Sequence, residues 1–187
     1  HYQNIGSDWN VDKVITKKIV NGYEDDPIKI LGNDTDSDGI PNWWEEEFGY
    51  DPLSWNDHKR LDPDFDALNN FEEYIAYEWG ADPFFKDIFL EFDWMKSKTK
   101  GVSNAPSQEL VNEMKERFLE HDISLHVDLG LLGGSEIIPY NPNITIDELS
   151  DLYWDYFLHN DLNNPRKNIF HYGLICDRGP GTGFAVL

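Results

Sequence analysis

Acidic residues alternate along a short stretch that begins at Asp34 and reads DTDSDGIPNWWE. Asp34, Asp36 and Asp38 fall at positions 1, 3 and 5 of a twelve-residue loop, and Gly39 falls at position 6. Carboxylates at alternate positions of a tight turn supply the oxygen ligands that the hard cation Ca²⁺ prefers, and the glycine permits the turn. The predicted ligands of this first loop are Asp34, Asp36, Asp38, the backbone carbonyl of Ile40, Asn42 and Glu45.

The same pattern recurs from Asp62 onward, in DPDFDALNNFEE. Ala67 stands here at position 6, where a side chain is strained by the positive φ that the turn requires. Each loop is followed by a predicted helix, Trp43–Phe48 or Phe71–Trp79, and then by Gly-x-Asp-Pro, so the segment is an internal repeat. The alternative interpretation is a pair of acidic turns on a solvated surface. The predicted ligands of this second loop are Asp62, Asp64, Asp66, the backbone carbonyl of Leu68, Asn70 and Glu73.

The two repeats resemble the EF-hand-like calcium repeats of secreted bacterial and archaeal proteins, which are related to dockerin and thrombospondin type 3 repeats. The resemblance covers roughly residues 33–83 and implies two Ca²⁺ ions bound outside the cell. It also implies a structural role for the metal rather than a sensor role. The composition favours the structural role, because the whole chain has only two methionines and so lacks the Met-rich groove that a calcium sensor opens.

The charge balance restricts the possible partners. The chain has 36 acidic and 15 basic residues and a formal net charge of −21, which excludes a general binder of nucleic acid or anionic membranes. No apolar stretch is long enough to predict a membrane span. Seven Trp, nine Tyr and eleven Phe predict a packed core rather than disorder. The expected partners are therefore other copies of the chain or an extracellular protein.

The cysteine count and the N-glycosylation sequons indicate the cellular compartment of the protein. Cys176 is the single cysteine, so metal rather than disulfides is expected to hold the loops together. The start at His1 rather than Met is interpreted as that of a processed product that has lost a signal peptide. Sequons at Asn33 and Asn143 permit N-glycosylation. These features together predict an extracellular or cell-surface protein.

The second half of the chain has the pattern of an α/β domain. We expect an N-terminal extension at 1–32, the tandem calcium loops at 33–83 and an α/β domain at 84–187. Strands that alternate with helices in this order predict a small parallel β-α-β-α-β unit with right-handed crossovers. The predicted elements are strands Ile88–Met95, Ile123–Asp128, Asn168–Asp177 and Phe184–Leu187, a helix Ser107–His121, and a helix opened by a capping box of Thr145 and Glu148.

Polar residues alternate along two of these strands. In register, Glu91, Asp93, His126 and Asp128 would share one face of the sheet, where they need cations, hydrogen bonds or water. The favoured interpretation is an exposed face near the sheet edge, and the alternatives are a third cation site or a rim that faces substrate. His58, in the segment that links the two acidic loops, is interpreted as a solvated turn residue.

The strands KDIFLEFDWM, ISLHVDLGLLGG and NIFHYGLICD resemble a region of secreted microbial zinc metallopeptidase-like proteins of the metzincin type. The resemblance covers about half the chain and implies the sheet-bearing half of a peptidase domain, which the family completes with a zinc-binding H-E-x-x-H helix. None of the six histidines begins such a motif, so no catalytic residue is carried over and Zn²⁺ is not supported within this chain.

Two functions therefore stay open. The first is a non-catalytic, calcium-stabilised extracellular protein that acts by binding or assembly, as in a surface layer or filament. The second is the N-terminal part of a secreted zinc metallopeptidase whose zinc site lies beyond Leu187. Whether the protein is an enzyme is thus left undecided by the sequence.

Overall fold

The structure is a computed structural model, described here for residues 32–54 and 58–176. The chain divides into two compact units, with the boundary between Phe85 and Lys86. The first unit carries the acidic loops and the second carries a parallel sheet. The predicted strand Phe184–Leu187 and almost all of the predicted N-terminal extension lie outside the described residues.

The first unit contains two loop-helix segments. Helix α1 (Asn42–Phe48) ends at Gly49, whose φ of +79° suits glycine. Helix α2 (Asn70–Ala76) begins with a capping box in which the Asn69 side chain and Glu72 satisfy each other's backbone N–H groups. The predicted helix Phe71–Trp79 is therefore α-helical only as far as Ala76, and its last residues tighten into a 3₁₀ turn. A second 3₁₀ turn, His58–Arg60, lies in the segment that links the loops.

Aromatic residues of both helices form the core of the first unit. Trp43 and Trp44 of α1 and Tyr74 of α2 are buried, and Trp43 contacts Tyr74 edge-on with ring centroids 6.2 Å apart. Burial of each such side chain contributes about 2–3 kcal/mol. The two loop-helix segments are therefore joined by one core, whose further members are Ile40, Phe48, Tyr50 and Tyr77.

The second unit is mixed α/β with a small open parallel sheet, as the sequence predicts. Strand β1 (Asp87–Met95) is central and pairs in parallel with β2 (Ser124–Asp128), with β3 (Ile137–Ile138) and with β4 (Phe170–Ile175). The predicted strand Asn168–Asp177 is wrong at its start, because residues 166–169 form the short helix α5 (Arg166–Ile169) that follows Pro165.

Two capped helices accompany the sheet. Helix α3 (Gln108–Leu119) is capped by Ser107, whose Oγ accepts the Leu110 N–H at 3.2 Å, and its Val111 packs in one cluster with residues of β2. Helix α4 (Ile146–Leu152) begins with the predicted capping box of Thr145 and Glu148 and continues into a π-helical turn. In residues 32–54 and 58–176, no helix combines the length and the apolar character that crossing a bilayer requires.

The polar face of the sheet is buried, so the prediction of an exposed face is wrong. The register pairs Glu91 with Asp128 and places Asp93 and His126 on the same side, as expected. However, Glu91, Asp93 and Asp128 are each 0 % exposed. Carboxylates in such a setting require internal partners.

The cation at this face is Arg166, from α5. Its Nε donates to Glu91 Oε2 at 2.6 Å and its Nη2 donates to Asp128 Oδ2 at 2.7 Å, while Nη1 donates to the Leu132 carbonyl. A planar guanidinium suits two carboxylates because its donors form a fixed fork. A side chain of the protein therefore supplies the positive charge that the sequence alternatively assigns to a third bound cation.

Hydrogen bonds satisfy the carboxylate of Asp93 at this face. Asp93 accepts from the Tyr172 hydroxyl at 2.9 Å and from the Glu136 N–H at 2.6 Å. Burial raises the pKa of Asp93 to about 6, against the effect of these bonds. Burial, with smaller contributions from the charges of Asp93 and Asp128, raises the pKa of Glu91 to about 8 although Arg166 opposes the shift.

Candidate metal centre

The two acidic loops have the same backbone conformation at matching positions. At position 4, Ser37 and Phe65 have φ of +62° and +64°. At position 6, Gly39 and Ala67 have φ of +99° and +82°. Ala67 therefore adopts the left-handed conformation that the loop template requires, at the cost of strain that a glycine avoids.

The first loop is closed by hydrogen bonds to its leading aspartate. Asp34 Oδ1 accepts the Asp38 N–H at 3.2 Å, and Asp34 Oδ2 accepts the Gly39 N–H at 3.0 Å. Across the mouth of the loop, the Asn42 N–H donates to the Asn33 carbonyl at 2.8 Å. These bonds fix a turn whose later carboxylates converge.

The second loop contains the three corresponding hydrogen bonds. Asp62 Oδ1 accepts the Asp66 N–H at 3.3 Å, and Asp62 Oδ2 accepts the Ala67 N–H at 3.1 Å. The Asn70 N–H donates to the Leu61 carbonyl at 2.8 Å. The predicted repeat is therefore a structural repeat as well as a sequence repeat.

Four side chains converge at the first loop. One ligand atom each from Asp36, Asp38, Glu45 and His58 lies within 4.8 Å of the others, so the group could hold a metal ion. Glu45 is 0 % exposed, and its Oε2 has no hydrogen-bond partner among the described residues. A buried carboxylate oxygen without a partner is costly, and a cation would supply one.

His58 is the unexpected member of this group. It is only 2 % exposed, so the prediction of a solvated turn residue is wrong. Its Nε2 lies 2.7 Å from Glu45 Oε1 and 3.4 Å from Asp38 Oδ2. Nothing in the spacing of His58 within the sequence signals this placement, because the residue belongs to neither repeat of the loop template.

The other predicted ligands of the first loop have structural contacts. Asp34 accepts the backbone bonds described above. Asn42 Oδ1 accepts the Thr35 N–H at 2.9 Å, and Asn42 Nδ2 donates to Thr35 Oγ1 at 2.8 Å. Ile40 is fully buried, and its N–H donates to Asp38 Oδ1 at 2.8 Å. Asp36, Asp38 and Glu45 are thus the predicted ligands that the structure brings together here.

In the second loop, Asp62, Asp64 and Asp66 each offer an oxygen within 4.8 Å of the others. Buried Glu73 offers an oxygen within the same distance of Asp66. The two remaining predicted ligands are placed beside this group: the Leu68 N–H donates to Asp66 Oδ1 at 2.7 Å, and Asn70 Nδ2 donates to the His58 carbonyl at 2.7 Å. The Asn70 contact connects the second loop with the first.

Several carboxylates of the two loops have pKa values above their usual range. Burial and, to a smaller extent, the charge of Asp66 together raise the pKa of Asp64 to about 6. Burial likewise raises the pKa of Asp36, with a smaller contribution from Asp38, and burial raises the pKa of Glu45 against its hydrogen bond to His58. Carboxylates that repel each other in this way favour a bound cation.

No protein-family model matches the chain, and neither a curated protein nor a solved structure shows significant similarity to it.

Proposed function

We propose that residues 33–83 bind two Ca²⁺ ions and that calcium serves as the structural staple of an extracellular protein. The observation that carries the proposal is the matching geometry of the two loops, in which the same backbone conformation and hydrogen bonds bring acidic side chains together. The resemblance to EF-hand-like calcium repeats supports the same conclusion. Carboxylate oxygens of this number and arrangement suit a hard dication.

The position of the loops supports a structural role for calcium. Each loop leads directly into a helix whose aromatic residues form the core of the first unit. A metal that binds only the folded state adds its binding free energy to folding, about 2.7 kcal/mol for each site at a hundredfold excess over Kd. Calcium at millimolar extracellular concentration would therefore keep the core assembled in a chain with a single cysteine.

We propose for the second unit a non-catalytic role in binding or assembly, with another copy of the chain or an extracellular protein as partner. The most buried acids of its sheet, Glu91, Asp93 and Asp128, are engaged in internal pairs and hydrogen bonds. Acids held in this way support the fold rather than acting on a substrate.

The alternative is that the second unit is the sheet-bearing half of a secreted zinc metallopeptidase. The parallel sheet around β1 agrees with what the metzincin resemblance implies. This alternative requires an H-E-x-x-H helix encoded after Leu187. Sequencing the gene beyond that codon tests it, and an immediate stop codon would leave the peptidase without a zinc site.

The test of the calcium proposal is calorimetric titration of the chelated chain, with thermal melts in parallel. The wild type should bind two Ca²⁺ ions and melt at a higher temperature with calcium than with chelator. Glu45→Gln should weaken one site and Asp64→Asn the other. Glu46→Gln is the matched control, because Glu46 neighbours Glu45 in α1 but is exposed.

Two results would contradict the proposal. One is a titration that detects no calcium binding by the folded wild type. The other is a loss of calcium affinity in Glu46→Gln as large as that in Glu45→Gln, since general charge rather than a built site would then explain the binding.

A further inference from the structure

The side chain of His58 extends the first loop beyond the all-oxygen template. Its Nε2 lies 2.7 Å from Glu45 Oε1 and 3.4 Å from Asp38 Oδ2, and it belongs to the four-residue group whose ligand atoms lie within 4.8 Å of one another. The corresponding group of the second loop consists of three aspartates without a histidine. The two loops therefore differ in donor chemistry although their backbones match.

Packing fixes the direction of this imidazole. The ring stacks on Tyr50 with centroids 4.7 Å apart and planes 13° apart, and Tyr50 in turn lies parallel to Trp44 at 6.0 Å. The backbone of His58 is held by the bond that Asn70 Nδ2 donates to its carbonyl. An imidazole held by aromatic stacking and by a backbone contact needs little reorganisation to meet a metal, which favours binding.

A buried, unpartnered oxygen points to the ligand. Glu45 is 0 % exposed, and its Oε2 has no hydrogen-bond partner among the described residues, while Oε1 faces the His58 ring. A cation in this group would contact the oxygens of Glu45 and the nitrogen of His58 together. Neutral imidazole nitrogen combined with carboxylate oxygen is a donor set that suits zinc, whereas calcium prefers oxygen alone.

We propose that His58 is a metal ligand and that it makes the first loop a mixed nitrogen-oxygen site, which accepts a borderline dication of the Zn²⁺ class in competition with Ca²⁺. The second loop keeps its preference for calcium. This inference rests on the proposed function in one respect, namely that the first loop holds a cation. It adds a choice between metals that the loop template does not contain.

The experiment uses the full chain, stripped of metal by chelation and then saturated with Ca²⁺. ZnCl₂ is titrated by calorimetry, and CoCl₂ is added to a second sample as a visible absorption probe of nitrogen-oxygen coordination. The variants are His58→Gln and the control His121→Gln, whose histidine is exposed. In the wild type, the ring nitrogen resonances of His58 are followed by NMR during the zinc titration, so the test does not depend on the folding of a variant.

We expect one Zn²⁺ to displace one Ca²⁺, with visible Co²⁺ bands and a shift of the His58 Nε2 resonance. His58→Gln should lower zinc affinity at least tenfold and leave calcium binding at the second loop unchanged, and His121→Gln should behave as the wild type. Equal zinc affinity in His58→Gln and wild type, or an unshifted His58 resonance, would overturn the inference. The proposed function would still hold in that case if the chain bound two calcium ions. Zinc binding through His58 in a chain that binds no calcium would overturn the proposed function and the competition between metals, and would support only the ligand role of His58.

Discussion

Replacing Arg166 with methionine should destabilise the second unit by about 3–5 kcal/mol at neutral pH. Arg166 is 1 % exposed, and its guanidinium donates to Glu91 and Asp128, both of which are fully buried. Without it, the carboxylate charge of this buried pair has no cation, and that uncompensated charge is the main cost. Methionine retains most of the aliphatic volume, so the cavity contributes little.

The part of the loss that involves Glu91 should be smallest below about pH 8 and should grow as the pH rises above that value. Removal of the guanidinium removes an influence that lowers the pKa of Glu91, so the folded-state pKa of Glu91 should rise above its value of about 8. Protonation then neutralises the buried group. A folded-state pKa raised in this way stabilises the folded state at low pH, and this contribution disappears as the pH rises through that pKa.

Hydrogen exchange of peptides that cover β1 and β4 is the suitable assay, because it reports the opening free energy of the sheet separately from that of the calcium loops. Arg117→Met is the matched control. Arg117 forms an exposed pair with Glu120 at 3.4 Å, and its loss should change stability by less than about 0.5 kcal/mol. A loss below about 1 kcal/mol in Arg166→Met would refute the reasoning.

Two further predictions concern Glu91 and the loop turns. Because burial raises the pKa of Glu91 from 4.5 to about 8, the folded state holds a proton that the unfolded chain releases, so stability should fall by about 1.4 kcal/mol per pH unit across that interval. Hydrogen exchange against pH should show a slope smaller by this amount in Glu91→Gln, and an unchanged slope would contradict the assignment. Ala67→Gly should stabilise the chain by about 0.5–1 kcal/mol by relieving a φ of +82°, and Gly39→Ala should destabilise it by about 1–2 kcal/mol. Denaturant melts in saturating calcium measure both changes, and shifts of the same sign would count against backbone strain.

Local signals in the sequence predicted local structure well. Thr145 and Glu148 form the capping box that their spacing predicts, because a cap depends on residues within one turn. The loop template likewise located the converging Asp36, Asp38 and Glu45, since their geometry is set by a short stretch of backbone. The mixed α/β class followed from the order of strands and helices.

Contacts between distant residues were not predictable in this way. Arg166 lies 75 positions from Glu91, and no periodicity relates the two. The alternation along β1 predicts an exposed face, because a single sequence does not show which remote side chain compensates the charge. His58 was missed for the same reason, since tertiary packing on Tyr50 rather than spacing brings its ring to the loop.

The position of Arg166 late in the chain has a consequence for synthesis on the ribosome. β1 and β2 emerge together with the acids Glu91 and Asp128, which face each other across the paired register. Their cation follows only with α5 and β4, which then cover β1. A nascent chain that ends before Arg166 therefore has to bury two acids without their cation in order to close the sheet, which opposes premature collapse. We therefore expect completion of the sheet to wait for Arg166 and for β4, the strand that pairs with the remaining edge of β1, an order that would disfavour wrong pairing of that edge during elongation.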